Sequence, residues 1–343
     1  MNLEFLTLPR DERNEIITEC SARLGVPAVI TEKDFWVCWM LGVLFQSSFA
    51  DSLVFKGGTS LSKAFGAINR FSEDIDLSVS TEFLELPEPG DSRNQANKWM
   101  TNAEAVCTAA ARDKFLPELK QLISEPLEPL KTRPDHQWLE FLVDAASNSP
   151  VILFHYPTTQ PSGFEYLKRS VKLELGSLTE QRPIGKHPIK PWLADEFPQL
   201  FPEWDCEVVA LEIERSFWEK STILHAEHHR PDDKPTPDRY SRHYADTAAL
   251  AKHADGQRAV TLSDVRQKVV DWKARFFGSK WARYDLAVPG SFRLVPAEYR
   301  VDALRRDYQA MRDMYLTEPP SFGEIMTQLG ELETQINVEG DNE

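Results

Sequence analysis

The chain has 343 residues, of which 41% are hydrophobic and 27% are charged, and its net charge is -15 at pH 7. This composition is typical of a folded protein with one large domain or two modest ones. The acidity argues against broad, non-specific adhesion to nucleic acid or to anionic membranes. The four cysteines are scattered and form no CxxC pair, which argues against a thiolate zinc site and fits a cytoplasmic protein.

The sequence contains no targeting or membrane-spanning pattern. Its first residues include no basic stretch followed by an apolar one, so we expect no signal peptide. The longest uncharged run, Phe35 to Ala50, is shorter than the roughly 20 apolar residues that cross a bilayer. We therefore expect this run to form a buried helix and expect no membrane partner.

The first half of the chain predicts helices mixed with strands. In chain order the predicted elements are helices at 10–24 and 32–47, a strand at 53–55, a helix from 59, a strand at 75–79, a loop at 82–94, helices within 95–124, and strands at 138–143, 151–156 and 171–175. The second helix is predicted to begin at a capping box formed by Thr31 and Asp34.

The second half predicts mainly helices. A proline-rich segment at 181–204 leads to one more strand at 207–211. The helices predicted after it are 214–229, 239–253, 261–276, 297–315 and 321–337. Strands in the first half and helices in the second predict an α+β fold: a catalytic domain with a mixed sheet, residues 1–205, and a mainly helical domain, residues 206–343.

The segment from Ser72 to Ser78 is predicted to place two carboxylates on one face of a strand. Because alternate side chains share a face, Asp74 and Asp76 should point the same way and the apolar residues between them into the core. A divalent cation would relieve the repulsion between the two charges, and Mg²⁺ commonly binds one or two carboxylates together with substrate phosphates. Taken alone, the pair is better explained as the solvated face of an edge strand.

A glycine-rich turn precedes this strand. Glycines allow backbone N–H groups to approach a phosphate closely, and the following helix adds its dipole. The alternative is a tight turn in which Thr59 or Ser60 caps the helix. The spacing of a P-loop is absent. A glycine turn followed by Asp-apolar-Asp is the pattern of polymerase-β-like nucleotidyltransferases, and the expected nucleotide-binding residues are Gly57, Gly58, Thr59, Ser60 and Lys63.

Several motifs, taken in order, resemble the AbiEii/AbiGii abortive-infection nucleotidyltransferase toxins, which include the MenT toxins. They are Glu32-Lys33-Asp34 and the segments 55–63, 70–77, 171–175, 215–220 and 242–250, which together cover most of the chain. The resemblance implies a polymerase-β-like fold with the nucleotide bound in a cleft between the two domains. It also implies particular roles: phosphate contacts for Gly58 and Ser60, Mg²⁺ or Mn²⁺ binding for Asp74 and Asp76, neutralisation of the triphosphate for Lys220, and support of the site for Asp246.

The same resemblance implies the reaction and the partners. A nucleotide would be transferred from an NTP to an acceptor hydroxyl, with release of pyrophosphate. The implied acceptor is the 3′ end of a tRNA, the implied outcome is growth arrest or phage defence, and the implied regulator is a cognate antitoxin. Two other functions stay open: nucleotidylation of a protein or small molecule, and nucleotide binding for regulation without turnover. The paired aspartates argue against the last, because binding alone does not require them.

A polymerase-like site also needs a third carboxylate near the metal. Glu174 is the expected residue; it shares one face of a predicted strand with Lys172, and Val171, Leu173 and Leu175 share the other. Asp144 and Glu140 are alternatives, and Lys172 with Glu174 could equally be a surface pair on an edge strand.

Two further clusters could bind a ligand: a group of histidines and a basic stretch with aromatic residues. His225, His228 and His229 lie near two aspartates, Asp232 and Asp233, but no further ligand has a recognisable spacing, so we expect a solvated helix end. The second cluster is the most basic stretch of this acidic chain and combines cations with aromatic rings, as RNA binding requires. Its alternative is an ordinary amphipathic helix. Its residues are Arg266, Lys268, Trp272, Lys273, Arg275, Phe276, Phe277, Lys280, Trp281 and Arg283.

Overall fold

The computed structural model describes residues 4–90, 92–133, 135–145, 147–160 and 168–339. These residues group into two compact units. The first unit comprises Met1–Ala64, Phe71–Gly90 and Lys98–Ala210. The second comprises Phe65–Arg70, Asp91–Asn97 and Leu211–Glu343, so two short segments from early in the chain belong to the mainly helical unit.

A mixed sheet of seven strands is the centre of the first unit, and its strand order is β3-β4-β5-β2-β1-β7-β6. Strand β2 pairs antiparallel with β1 and parallel with β5, which places it inside the sheet. Strand β4 pairs antiparallel with both β3 and β5, and β1 pairs parallel with β7. The strands are β1 Leu53–Lys56, β2 Ile75–Val79, β3 Leu139–Val143, β4 Pro150–Phe154, β5 Val171–Gly176, β6 Ile184–Pro188 and β7 Glu207–Leu211.

Helix α3 packs its aromatic side chains against the sheet. Trp36 and Trp39 lie 5.7 and 5.6 Å from the ring of Phe154 on β4, and all three side chains are buried. The first seven helices are α1 Glu4–Thr7, α2 Arg10–Leu24, α3 Ala28–Phe45, α4 Gly57–Lys63, α5 Arg93–Ala110, α6 Leu116–Leu127 and α7 Trp192–Glu196.

The second unit is built from the remaining helices. Trp218 is at its centre: the indole N–H donates to the carbonyl of Ala259 at 2.9 Å, and the ring contacts Phe292. None of the helices in the described part of the chain is long and apolar enough to cross a membrane. The helices are α8 Ile213–His228, α9 Ser241–Lys252, α10 Ala254–Val260, α11 Ser263–Phe276, α12 Val301–Ala310 and α13 Phe322–Glu339.

The predicted α+β fold with a mixed sheet is confirmed, and most predicted elements are present within a few residues of their expected bounds. The capping box at Thr31 is wrong: α3 begins earlier, after Pro27, and no side chain caps it. Strand β6 lies in the segment that predicted no strand. It was missed because it is at the edge of the sheet and no residue in it is fully buried, which removes the alternating pattern.

Candidate active site

The two aspartates of the Asp-apolar-Asp motif lie at the beginning of β2. Asp74 immediately precedes the strand and Asp76 is its second residue. Both are half-buried, whereas Ile75 and Leu77 are fully buried. Because β2 has a neighbouring strand on each side, the alternative of a solvated edge strand is excluded.

The register of the sheet places three charged residues in one row. Lys56 on β1 is the partner of Asp76, and Asp76 is the partner of Glu174 on β5. Side chains at paired positions project from the same face, and adjacent strands are about 4.8 Å apart. Glu174, the residue predicted as the third carboxylate, therefore lies on the strand next to Asp76.

The two alternative carboxylates are placed differently. The ammonium of Lys172 donates to Glu174 at 2.6 Å and to Asp144 at 3.2 Å, so Asp144 joins the cluster through Lys172. Glu140 contacts His155 at 2.9 Å, and its strand is three strands from β2, or about 14 Å. The structure therefore brings Glu174 and Asp144 near the aspartates but not Glu140.

Lys172 carries a firmly held positive charge within this acidic cluster. Burial alone would lower the pKa of its ammonium, but the hydrogen bonds and charges of Glu174 and Asp144 outweigh burial, and the pKa is raised. Because β5 lies between β4 and β2, the Lys172–Glu174 pair is not on an edge strand.

Gly57 begins α4 in contact with the Asp76 carboxylate. Its φ is +81°, a conformation that side chains with a Cβ rarely adopt. A Cβ added at this position would lie 2.0 Å from Oδ2 of Asp76, far inside contact distance. The glycine therefore serves two purposes here: it permits the turn and it leaves room for the carboxylate.

The hydroxyls of Thr59 and Ser60 hold this turn together. Thr59 Oγ1 donates to the carbonyl of Asp74 and lies 2.9 Å from the hydroxyl of Ser72. Ser60 Oγ donates to the carbonyl of Gly57 at 2.9 Å. Both side chains are fully buried, and neither caps the helix, whose N-cap is Lys56. Their hydrogen bonds join the turn to the strand that carries the aspartates.

Three consecutive charged residues on α3 are buried: Glu32, Lys33 and Asp34. Asp34 accepts hydrogen bonds from Lys63, at the end of α4, and from the backbone N–H of Trp192. Lys63 was expected to bind nucleotide, but its ammonium is paired with Asp34 and lies 4.7 Å from the Trp192 ring centre. Burial alone would lower the pKa of Lys63, but the charge of Asp34 outweighs it and the pKa is raised.

The other two members of this group attach α3 to further segments of the unit. Lys33 forms an ion pair with Glu73, the residue before Asp74, and donates to the carbonyl of Lys168 at 2.7 Å. Glu32 accepts hydrogen bonds from Thr158 and Thr159. A buried charge needs such partners to be tolerated. The group therefore anchors both α4 and the start of β2.

Within the second unit, Asp246 on α9 is buried between two cations. Nε and Nη2 of Arg70 each lie 2.8 Å from its carboxylate oxygens, and Lys220 on α8 lies 2.8 Å from Oδ2. Burial alone would raise the pKa of Asp246, but the charges of Arg70 and Lys220 outweigh it and lower the pKa. Lys220 is only 12% exposed, so the alternative of a solvated helix lysine is excluded.

The histidine cluster serves to pack the second unit. His225 Nε2 lies 2.9 Å from the carbonyl of Arg283, and its Nδ1 accepts a hydrogen bond from the backbone N–H of Arg293. Burial lowers the pKa of His225, which keeps the ring neutral. The expected solvated helix end is therefore wrong for His225, which is fully buried.

No group of three or more His, Cys, Asp or Glu side chains among the described residues is arranged to hold a metal ion. Asp74 and Asp76 offer two carboxylates at the beginning of β2, and that of Asp76 lies beside the glycine turn. Two carboxylates suit Mg²⁺, which binds one or two protein carboxylates and completes its coordination shell with water and substrate phosphates. The pair thus fits a divalent cation that arrives with a nucleotide.

The sequence alone assigned no role to Lys33, Lys56 and Glu73 in the first unit or to Arg70 in the second. A usable signal was the charged triplet at the start of an otherwise apolar helix, because consecutive charges in a buried element require partners. Arg70 has no local signal, since its partner Asp246 is 176 residues away in the sequence.

Replacing Gly57 by alanine should eliminate transfer and destabilise the fold. The backbone strain alone should cost about 1–2 kcal/mol, and the new Cβ must displace the Asp76 carboxylate. The measurements are the free energy of unfolding and the transfer rate. Gly25→Ala is the matched control, because Gly25 also has a positive φ but nothing lies within 4 Å of its Cβ position.

The clash can be separated from the strain by repeating Gly57→Ala in an Asp76→Ala background. There the cost should fall, because the carboxylate is gone, but it should stay above that of Gly25→Ala, because the Cβ of residue 76 still lies 3.0 Å from the new Cβ. Equal costs of Gly57→Ala in both backgrounds would show that Asp76 does not require the space at Gly57.

Comparison with known protein families agrees with the geometry of the candidate site. Residues 39–328 match the family model described as the AbiEii nucleotidyl transferase toxin of type IV toxin–antitoxin systems. None of the curated proteins compared matches the sequence significantly. Among solved structures, the chain is similar to MenT4, a nucleotidyltransferase toxin of Mycobacterium tuberculosis H37Rv, with a TM-score of 0.42, 16% sequence identity, and coverage of 96% of this chain and 99% of that one.

Proposed function

The chain belongs to the AbiEii nucleotidyltransferase toxin family of type IV toxin–antitoxin systems, and from this we propose that it uses Asp74 and Asp76 with Mg²⁺ or Mn²⁺ to transfer a nucleotide to the 3′ end of a tRNA. As a member of this family it is a nucleotidyltransferase toxin, and it has a cognate antitoxin as partner. We propose growth arrest as the outcome of the modification, with phage defence as its biological use.

The observation that carries this proposal is the position of Asp76. It is next to Gly57 at the beginning of α4 and in register with Glu174 on β5. A phosphate bound by the backbone N–H groups of Gly57 and Gly58 would therefore lie beside both aspartates. A divalent cation held there would neutralise charge on the phosphates and on the leaving group.

We assign the proton of the acceptor hydroxyl to Glu174. The hydroxyl oxygen attacks the α-phosphorus, the bond from that phosphorus to pyrophosphate breaks, and the proton is taken by the Glu174 carboxylate. Lys172, which donates to Glu174 at 2.6 Å, would orient the carboxylate before the acceptor arrives. Asp144, the second partner of Lys172, is the alternative proton acceptor.

Lys220 remains our candidate for neutralising the triphosphate, and Asp246 would act through it. The 2.8 Å contact with Asp246 holds the Lys220 ammonium in one position. Arg70 supplies the second cation that keeps Asp246 ionised. Asp246 would therefore be a positioning residue.

The acceptor surface that we propose is the basic stretch at 266–283 of the second unit. It contains six Lys and Arg residues and one acid, Asp271. Lys273 lies 5.2 Å from the ring centre of Phe277, whose side chain is 45% exposed. An exposed ring beside a cation can stack on an unpaired base while the charge contacts a phosphate. The alternative amphipathic helix is present as well, because Val269, Val270 and Phe276 are buried on the other face of α11.

Replacing Lys268 and Lys280 by alanine should weaken tRNA binding and flatten its salt dependence. Both side chains are exposed, so the fold should tolerate the change. Each lost phosphate contact should reduce the slope of log K against log salt by about 0.7 to 0.9. The measurement is a tRNA-binding isotherm at several salt concentrations. Lys98→Ala with Lys120→Ala removes the same charge from exposed positions in the first unit and is the control.

An unchanged slope in the Lys268 and Lys280 variant would assign RNA binding to another surface. An equal loss of tRNA affinity in both double variants would show that binding depends only on the net charge of the protein.

The proposed activity is tested by incubating the protein with total tRNA and each labelled NTP in turn. Label should enter tRNA, should be removed by trimming of the 3′ end, and should be absent with Asp76→Asn. Label in protein or in a small molecule would instead support the other enzymatic function. NTP binding without labelling of any acceptor would support a regulatory module.

A further inference from the structure

Lys56 is a cation on the carboxylate face for which neither the fold nor the family roles provide a function. It is the last residue of β1 and is half-buried. It is paired in register with Asp76, so its side chain projects from the same face as that carboxylate. Among the residues that the structure describes, the ammonium of Lys56 has neither a hydrogen-bond nor an ion-pair partner, although its backbone belongs to the β1–β2 ladder.

This arrangement differs from that of the neighbouring lysines. Lys33, Lys63 and Lys172 all form ion pairs with carboxylates. Restricting a long charged side chain without a partner has a cost in conformational entropy and in hydration. A substrate anion next to Asp76 would supply the missing partner.

We propose that Lys56 binds the phosphates of the NTP and stabilises the departing pyrophosphate. The inference rests on the proposed function, because it needs the nucleotide to be bound at the Asp74–Asp76 pair. Lys56 and Glu174 are on opposite sides of Asp76 in the same row. In phosphoryl transfer the attacking and leaving oxygens are roughly in line, on opposite sides of the phosphorus. If the acceptor hydroxyl is on the side of Glu174, the pyrophosphate leaves on the side of Lys56.

The chemistry of the step is balanced without another reactant. The bond between the α-phosphorus and the bridging oxygen breaks, and its electron pair stays on that oxygen of the pyrophosphate. The Lys56 ammonium donates a hydrogen bond to the pyrophosphate and keeps its proton. Gly57 and Gly58 immediately follow Lys56, so the ammonium and the backbone N–H groups of the turn would contact the same triphosphate.

The competing explanation is that Lys56 only balances the charge of the two aspartates. The two explanations differ in what they predict for metal and for phosphate. Under both explanations, removing the positive charge of Lys56 should leave the affinity for Mn²⁺ unchanged or increase it. Only a phosphate contact predicts weaker binding of a polyphosphate.

The test compares the full chain with Lys56→Ala, Lys56→Gln and Lys56→Arg by titration calorimetry. The probes are Mn²⁺ alone and inorganic tripolyphosphate in the presence of Mn²⁺. We expect Lys56→Ala and Lys56→Gln to bind tripolyphosphate about tenfold more weakly or worse, the loss expected for one charged hydrogen bond. Lys56→Arg should restore most of the affinity. Lys186→Ala removes an exposed lysine of edge strand β6 and should bind as the wild type does.

Unchanged tripolyphosphate affinity in Lys56→Ala and Lys56→Gln would overturn the assignment. Measuring Asp76→Asn in parallel separates this failure from failure of the proposed function. If Asp76→Asn binds Mn²⁺ normally, the metal site itself is misplaced. If Asp76→Asn loses Mn²⁺ binding while the Lys56 variants bind tripolyphosphate normally, only the role of Lys56 is wrong.

Discussion

Replacing Asp76 by asparagine is expected to lower the rate of nucleotide transfer at least about a hundredfold, the effect typical of removing one preorganised electrostatic group from an active site. The substitution keeps the shape of the side chain beside Gly57 and removes its charge. Asp74→Asn should behave in the same way. The measurement is transfer of labelled nucleotide at saturating Mg²⁺.

The same variants should fold normally and should not be toxic. Asp74 and Asp76 repel each other without a cation, so removing one charge should leave stability unchanged or raise it slightly. Asp51→Asn, an exposed substitution just before β1, makes the same change in net charge and should retain both activity and toxicity. Wild-type turnover by Asp76→Asn, or growth arrest as strong as that caused by the wild type, is incompatible with our assignment of the metal site.

Replacing Asp246 by alanine is expected to destabilise the second unit by about 3–5 kcal/mol, the usual cost of removing one partner from a buried ion pair. The variant would leave the buried Arg70 and the nearly buried Lys220 without their shared carboxylate. The free energy of unfolding measures this loss. Asp285→Ala is the matched control, because Asp285 also pairs with an arginine, Arg283, but on the surface, where ion pairs contribute little.

The dependence on pH provides a second check on Asp246. Its pKa is lowered in the folded protein, so its contribution to stability is fully present above its unfolded pKa of about 3.9. The contribution is lost as the pH falls below that value toward the folded pKa. Asp246→Asn should therefore reduce the loss of stability between neutral pH and pH 3. Identical acid unfolding profiles would show that Asp246 is not held between the two cations in solution.

Local periodicity in the sequence was sufficient to locate the centre of the candidate site. Alternation of acidic and apolar residues predicted that Asp74 and Asp76 share a face of a strand, and the strand is present. The two glycines predicted the turn that follows β1, although the helix begins at Gly57 itself. These predictions succeed because the side-chain period of a strand and the backbone freedom of glycine are properties of a few adjacent residues.

Tertiary structure decided which distant residues join this centre. The sequence favoured Glu174 but left Glu140 open as an alternative, and it is the strand order that puts Glu174 next to Asp76. Lys63 follows the glycine turn and was expected to bind phosphate, but α3 passes close enough for Asp34 to form an ion pair with its ammonium. The partners in such pairs are far apart along the chain, so no short pattern encodes them. They are selected when the helices and strands pack, because a buried charge is stable only where the fold brings it an opposite charge.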